Sequence, residues 1–305
     1  MARVKKSNYF KEMVNYYFFK TIFSILGEKL VQKVKYRIIF GRKLDLNSPD
    51  TLNAKIHWLK LNCREDFHTI VADKYAARKW LAERFGEEYL IPLLFHTDNY
   101  REVKPENIPH EPCIIKSNNG CGTYHIIRKF EDYTKEDWEN IRLDCKIWMK
   151  KNHFYRGQEW QYKNMKPRII VEKLLYTKEG NIPNDYKLNY FNGKLEFVYC
   201  SVDRENGDYR NIYDADWKPL DFFWVGKKKY REGLRGPEIP PPPSYDKMKE
   251  IGAEIAKLFK YVRVDFYDVD GKLYYGEITL HHGSGADKFF PDKYDYIYGE
   301  KLNLN

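Results

Sequence analysis

What this chain lacks narrows its class. Its five cysteines are scattered, with no CxxC pair and an odd one over, so neither a disulfide framework nor a zinc knuckle organises it, and a reducing cytoplasm is the expected compartment. No run approaches the roughly 18 to 20 apolar residues that a bilayer span needs, and the opening MARVKKSNYFKEM lacks the apolar stretch of a signal peptide. There is no internal repeat. No aromatic platform motif or glycine-flanked basic loop accompanies the formal charge of +9, which argues against nucleic acid as a partner. Outside the first 43 residues the net charge vanishes: that segment carries eleven Lys or Arg against two Glu, which is the whole +9.

What is present is a basic arm (residues 1–45) ahead of a body long enough to bury a substantial core. In the arm Tyr9, Phe10, Tyr17, Phe18, Ile22, Phe23 and Leu26 interleave with Lys11, Lys20, Lys29, Lys33 and Lys35. Two readings stand open. The stretch is an amphipathic helix lying on anionic lipid headgroups, or its apolar residues pack on the body and the lysines are merely solvated.

Residues 46–105 read as a helical, substrate-side region. Ser48 or Asp50 caps a helix through TLNAKIHWLKLN, and DFHTIVADKYAARKWLAERFG reads as one helix ending at Gly86. From Cys113 the pattern becomes strand (CIIK), glycine loop (SNNGCGTY), strand (HIIRKF) and helix (DWENIRLDCKIWMKKN). RIIVEKLL, with a strand ending at Val171, then KLNYFNGKLEFVYCSVD and NIYDADW imply an antiparallel sheet with a hairpin at Asn192–Gly193. KKKYREGLRGPEIPPPPS is an exposed connector. DKMKEIGAEIAKLFK sets Met248, Ile251, Ile255 and Leu258 on one helical face, ahead of the hairpin YVRVDFYDVDGKLYYGEITL turning at Asp270–Gly271.

Three places carry chemistry. In the last hairpin, two-residue alternation sets Arg263 and Asp265 on one face of a strand and Glu277 and Thr279 on one face of its neighbour, near enough for Asp265 and Glu277 to share a hard cation such as magnesium. Lys116 ends a strand and runs into Ser117, Asn118, Asn119, Gly120, Cys121 and Gly122, where backbone N–H groups can approach phosphate oxygens. Glu172, Lys173, Leu174 and Leu175 follow an apolar strand and suit an adenine held in an apolar slot.

The order of these pieces resembles the ATP-grasp superfamily. RVDF, EIT and HHGSG, at residues 263–266, 277–279 and 281–285, are similar to the C-terminal pattern of D-alanine–D-alanine ligases. TLNAKIHWLKL, VADKYAARKWL, NMKPRIIVEKLL, NDYKLNYFNGKLEFV and RNIYDADW look like the TupA-like ATP-grasp family, associated with teichuronopeptide and capsular polysaccharide synthesis. The resemblance implies an α+β, ATP-grasp fold of two α+β subdomains that clamp ATP, the first over 106–171 with the glycine-loop lid, the second over 172–305 with the adenine hinge and metal site. It implies ATP and Mg2+ as cofactors, with Lys116, Ser117, Gly120 and Gly122 at the phosphates, Glu172–Leu175 at the adenine, and Asp185 and Lys187 at the ribose or phosphates. The metal ligands are Asp265 and Glu277, with Thr279 where the ligases carry Asn, so that one magnesium is held more loosely. Arg263 and Lys187 neutralise charge in catalysis, and Ser284 and Gly285 touch substrate. His281 and His282 either deprotonate an incoming amine or only shape the pocket.

The implied reaction joins a carboxylate, a uronic acid of a surface glycan or its precursor, to an amine through an acyl phosphate. The competing reading is a glycosyltransferase using Asp268–Asp270 as a metal-binding DxD, against which stands the position of those aspartates in a hairpin turn. A non-enzymatic adaptor on a decayed fold is opposed by the retention of Lys116, Arg263, Asp265 and Glu277.

Overall fold

A computed structural model of the protein describes residues 4–120 and 122–305; residues 1–3 of the basic arm and Cys121 of the glycine loop lie outside the described residues. In chain order the elements are α1 (Tyr9–Phe40), α2 (Leu52–Asn62), α3 (Asp66–Ala72), α4 (Ala76–Phe85), β1 (Leu93–Thr97), β2 (Cys113–Ser117), β3 (Tyr124–Ile127), α5 (Lys135–Lys150), α6 (Phe154–Gly157) and β4 (Ile169–Lys173). There follow β5 (Asp185–Phe191), β6 (Lys194–Val202), β7 (Tyr209–Tyr213), β8 (Phe223–Val225), α7 (Tyr245–Ala256), β9 (Tyr261–Val269), β10 (Lys272–Thr279), β11 (Lys288–Phe290) and α8 (Lys293–Lys301). They divide into two compact units. The first holds residues through Glu28, Glu65–Arg84 and Ile91–Leu174, and the second Lys29–Arg64, Phe85–Leu90 and Leu175–Asn305.

The first unit is built on an antiparallel sheet in the order β1-β4-β2-β3. Along β2, Cys113 and Ile115 enter a core shared with Ile127, Ile141, Cys145, Ile169 and Val171, where α5 covers the sheet. Alternation therefore sends Lys116, with Ile114, to the opposite face, where their β4 partners Ile170 and Glu172 are also buried. Thr134 and Asp137 start α5 with a reciprocal capping box. The single helix expected over 66–85 is two, because Asp73 intervenes: its carboxylate accepts from the N–H groups of Tyr75 and Ala76 at 2.8 and 3.2 Å, a cap stronger than helical continuation. Gly86 ends α4 as expected, with φ +111°.

The second unit carries a five-stranded antiparallel sheet, β10-β9-β5-β6-β7. Its hairpins turn where the sequence places them: Asn192 and Gly193 lie at φ +48° and +83°, and Asp270 and Gly271 at +52° and +90°, as a tight two-residue turn demands. The core gathers Leu52 and Ile56 of α2, Phe191, Phe197, Trp224, Phe289 and Tyr298; truncating Ile56 or Phe197 to Ala costs about 2–5 kcal/mol. Thr51, rather than Ser48 or Asp50, caps α2, its hydroxyl accepting from Ala54 N–H. In α7, Met248, Ile251 and Ile255 are buried, but Leu258 is exposed, because the helix ends at Ala256 and carries it off the stripe. The connector 227–243 forms neither helix nor strand.

Candidate active site

The strand of RIIVEKLL does not stop at Val171. It runs on to Lys173, and in register Glu172 lies opposite Ile114 of β2, two residues from Lys116 on the same face. The Lys116 ammonium sits 2.6 Å from Glu172 Oε2, while Arg78 of α4 reaches Glu172 Oε1 at 3.2 Å and donates to the Ile91 carbonyl at 2.8 Å. Glu172 is thus a buried anion between two cations. Of the hinge amides, Lys173 N–H is spent on Pro92 and Leu174 N–H on Pro112. Leu175 N–H has no partner among the described residues.

The glycine loop is anchored at its base. Asn118 donates to Asp73 and to the Lys166 carbonyl, and its own side-chain oxygen accepts from Arg168 N–H at 2.8 Å. Lys74 donates to the Gly120 carbonyl at 2.9 Å. A Cβ on Gly120 would stand 2.2 Å from Thr123 Oγ1 and 2.4 Å from Ser117 Oγ, so only glycine lets those hydroxyls meet, which they do at 2.7 Å. Gly122 has φ +69° and open space around it. His153 borders Gly120, and burial, with Arg156, Lys74 and Lys151 adding to it, holds its ring down to about 4.

In the second unit β5, β9 and β10 bring Lys187, Asp265 and Glu277 side by side, since Lys187 pairs with Asp265 and Asp265 with Glu277. A regular ladder continued from Tyr275↔Phe266 would set Glu277 opposite Val264, on the other face. A bulge at Gly276 shifts the register by one and turns Glu277 onto the face of Asp265. That bulge is a glycine because a Cβ there would stand 2.9 Å from the Asp265 carbonyl oxygen.

Arg263 ties the row together: Nε donates to Asp265 Oδ1 at 2.6 Å, and Nη2 to Asp265 Oδ2 at 2.7 Å and to Glu277 Oε1 at 3.1 Å. Lys187 reaches Asp265 at 3.1 Å and makes a closer pair with Asp185. Burial pushes the Asp265 carboxyl upward against the pull of Arg263 and Lys187. Three carboxylates face two cations, and Asp185 Oδ1 is buried without a hydrogen bond. The donor set fits a hard cation, with two carboxylates adjacent and the Thr279 hydroxyl 3.4 Å from Glu277 Oε1. Among the described residues no group of three or more His, Cys, Asp or Glu could hold a metal alone. The protein therefore offers a partial shell of the kind that phosphate oxygens complete around magnesium.

His282 lies inside this network rather than at its mouth. Its Nδ1 accepts from Arg263 Nη1 at 2.8 Å, Nε2 lies 3.1 Å from Asp287 Oδ2, and the ring stacks on Trp224 with centroids 3.9 Å apart. Burial, opposed by Asp287 and reinforced by Arg263, holds it below its ordinary value. Gly283, Ser284 and Gly285 follow with φ +53°, +58° and +72°. Ser284 is the costly member, a residue with a Cβ held left-handed. The turn is held by α2: Lys60 donates to the Ser284 carbonyl at 2.9 Å, and His57 to the Gly285 carbonyl at 3.1 Å.

The aspartates of the DxD reading are used structurally. Asp268 accepts from Ser244 and from Gly271 N–H, and Asp270 from Lys178 N–H. A cavity of about 760 Å³ in the first unit, lined by Arg101, Lys104, Lys135, Arg142, Phe130 and Trp138 among others, lies on the α5 side of the sheet, opposite Lys116. Four functional neighbours escaped the sequence reading: Lys74, Arg78, His57 and Lys60. All lie within stretches that carry the family resemblance, at i, i+4 and i, i+3 spacings that put each pair on one helical face or turn.

A model of the TupA-like ATPgrasp family matches residues 54–303. The chain belongs to the TupA-like ATP-grasp family. No curated protein matches it. Among solved structures, the ATP-grasp ligase PsnB complexed with a phosphomimetic variant of its minimal precursor, Mg and ADP is similar at 12% identity and a TM-score of 0.40, over 75% of this chain and 58% of that one. The D-alanine–D-alanine ligase of Bacillus anthracis is 14% identical over 76% of this chain and 64% of its own, with a TM-score of 0.38. That of Helicobacter pylori is 13% identical over 77% and 60%, also at 0.38. The chain spans less than two thirds of the length of each of these structures. These likenesses are distant, and it is the family model that identifies this TupA-like chain.

Proposed function

We propose that this protein is an ATP-dependent carboxylate–amine ligase that attaches an amine or amino acid to a uronic acid of a surface glycan or its precursor. The observation that supports the reaction is the row Lys187–Asp265–Glu277, bound together by Arg263 on one face of the sheet. The family's association with teichuronopeptide and capsular polysaccharide supports the substrate class.

In this reading the substrate carboxylate oxygen attacks the γ-phosphorus of ATP, the bond to the β–γ bridging oxygen breaks, and ADP leaves with that electron pair. The amine nitrogen then attacks the acyl carbon, the bond to phosphate breaks, and the amine proton passes to solvent. Lys116 and the loop amides of Gly120 and Gly122 hold phosphates, and Leu175 N–H with Leu174 receives the adenine. Lys187 and Arg263 oppose the charge that gathers on the transferring group, and Arg263 faces the tetrahedral oxyanion. His282 positions Arg263 through Nδ1. When bound by Asp265 and Glu277 beside Thr279, magnesium supplies charge neutralisation worth several kcal/mol. A nucleotide substrate and the free thiols of Cys63, Cys113, Cys145 and Cys200 support a cytoplasmic setting.

The test is ADP release across a panel of uronates and amines, with nucleotide affinity measured by calorimetry. One uronate–amine pair should stimulate release, and Lys116→Ala should weaken magnesium-ATP binding about tenfold or more, a loss of ~1.4 kcal/mol or greater. Unchanged affinity in that variant, or release that no pair stimulates, would reject the assignment.

A further inference from the structure

One side of the basic arm packs on the protein as the second reading expects, and another side is left exposed. α1 breaks at Gly27, which has φ +73° and ψ +162°, so it is two helices in series. In the first, Met13 and Phe23 are buried, Phe23 packs edge-on against Phe154 and Tyr155, and Glu12 pairs with Lys151. That is the packing face. At 100° per residue, Phe10, Val14, Tyr17, Phe18 and Ile25 fall within an arc of about 100° on another side. All five are exposed, Phe10 at 78% and Ile25 at 76%.

The second helix repeats the arrangement. Val31, Gln32 and Tyr36 are buried, while Leu30, Val34 and Ile38 form an exposed row at steps of four, Ile38 at 77%. Beside it runs a row of exposed cations with the same step, Lys29, Lys33 and Arg37. Of the sixteen large apolar side chains exposed among the described residues, ten lie on α1. Such a concentration marks an interaction surface rather than ordinary scatter.

We propose that the exposed faces of these two helices, each taken by itself, dock on an anionic membrane surface, lying along it rather than through it. Charge complementarity commits the proposal to this occupant: the whole formal +9 of the chain resides in residues 1–43, interleaved with Tyr and Phe. No described helix is long and apolar enough to cross a bilayer. A second copy fits worse, because a two-fold contact through this face sets the row Lys29, Lys33, Arg37 against its own image. The proposal is independent of the ligase reading, since partition onto lipid requires no turnover.

The experiment is co-sedimentation of the full chain with vesicles of phosphatidylcholine alone and of phosphatidylcholine with phosphatidylglycerol, at low and high salt. Binding should require phosphatidylglycerol and weaken with salt. The triple variant Lys29→Gln, Lys33→Gln, Arg37→Gln should weaken partition about 100-fold at low salt. A second variant, Phe10→Ser, Phe18→Ser, Ile25→Ser, tests the apolar stripe and should also lose binding, with the melting temperature of both variants unchanged because every altered side chain is exposed. Partition that ignores phosphatidylglycerol or both variants overturns the proposal. So does concentration-dependent dimerisation that either variant abolishes, which would assign the face to a second copy.

Discussion

Gly276→Ala asks whether one extra residue in one strand builds the site. A Cβ there stands 2.9 Å from the Asp265 carbonyl oxygen and 3.2 Å from the Tyr267 ring, closer than side chains tolerate, and the nearest neighbour is backbone that cannot swing away. Relief requires the bulge to open or slip, at a cost of about 1–3 kcal/mol of overpacking. Either movement takes Glu277 off the face of Asp265, leaving Arg263 with one carboxylate partner in place of two. Loss of several kcal/mol of charge stabilisation corresponds to a fall of ~100- to 1,000-fold in ADP release. Gly193→Ala is the matched control. It lies at φ +83° in another turn of the same sheet with nothing within 4 Å, so it carries a backbone penalty of about 1–2 kcal/mol while leaving the row intact. Turnover and urea unfolding of the two variants would be measured together. If Gly276→Ala kept normal turnover, or if Gly193→Ala lost as much at equal stability, the bulge would be no more than a bend in the sheet.

The row should also separate by burial. Glu277→Gln, whose side chain is 29% exposed, should abolish ADP release with little change in melting, whereas Asp265→Asn should lose turnover and about 3–5 kcal/mol of stability by stranding buried Arg263 and Lys187; equal melting of the two variants would contradict this. His153 takes a proton near pH 6.5 when unfolded but only near 4 when folded, so the stability it contributes is complete above pH 6.5 and is lost as pH falls through that window, about 3 kcal/mol in all. Asp295, which burial raises to about 6, runs the other way over part of the range. The check is therefore the difference between wild type and His153→Gln in urea unfolding from pH 7 to 4, and parallel curves would refute it.

The sequence is most informative where a feature is local. Asn192–Gly193 and Asp270–Gly271 specify their hairpins because only such pairs accept two left-handed residues in succession. The Met248, Ile251 and Ile255 stripe of α7 is equally local, and it fails only past the helix end, at Leu258. What alternation could not supply was the bulge. Counting back from the turn puts Glu277 on the wrong face of its neighbour, and a lone Gly276 between Tyr275 and Glu277 does not announce a register shift. The partners of Glu172 were hidden for another reason: Arg78 lies 94 residues away, and pairing at that range is decided by the fold. The base and pocket-shaping readings of His282 stay open in the sequence because its surroundings are non-local: Arg263, Asp287 and Trp224 enclose the ring, and burial lowers its affinity for a proton.

If the glycine loop holds phosphates as proposed, the clamp on Glu172 bears on which anions it retains. The Lys116 charge is balanced at 2.6 Å by a carboxylate that is itself buried. An incoming anion must draw the ammonium away from Glu172, and a monovalent ion offers no more than the partner it replaces. A triphosphate, with several charges and the loop amides to share, does. Arg78 stays on the other oxygen of Glu172, so the exchange does not abandon a bare negative charge inside the protein. On the ligase reading proposed above, the pair would work as a threshold, silent toward simple salts and responsive to a polyphosphate.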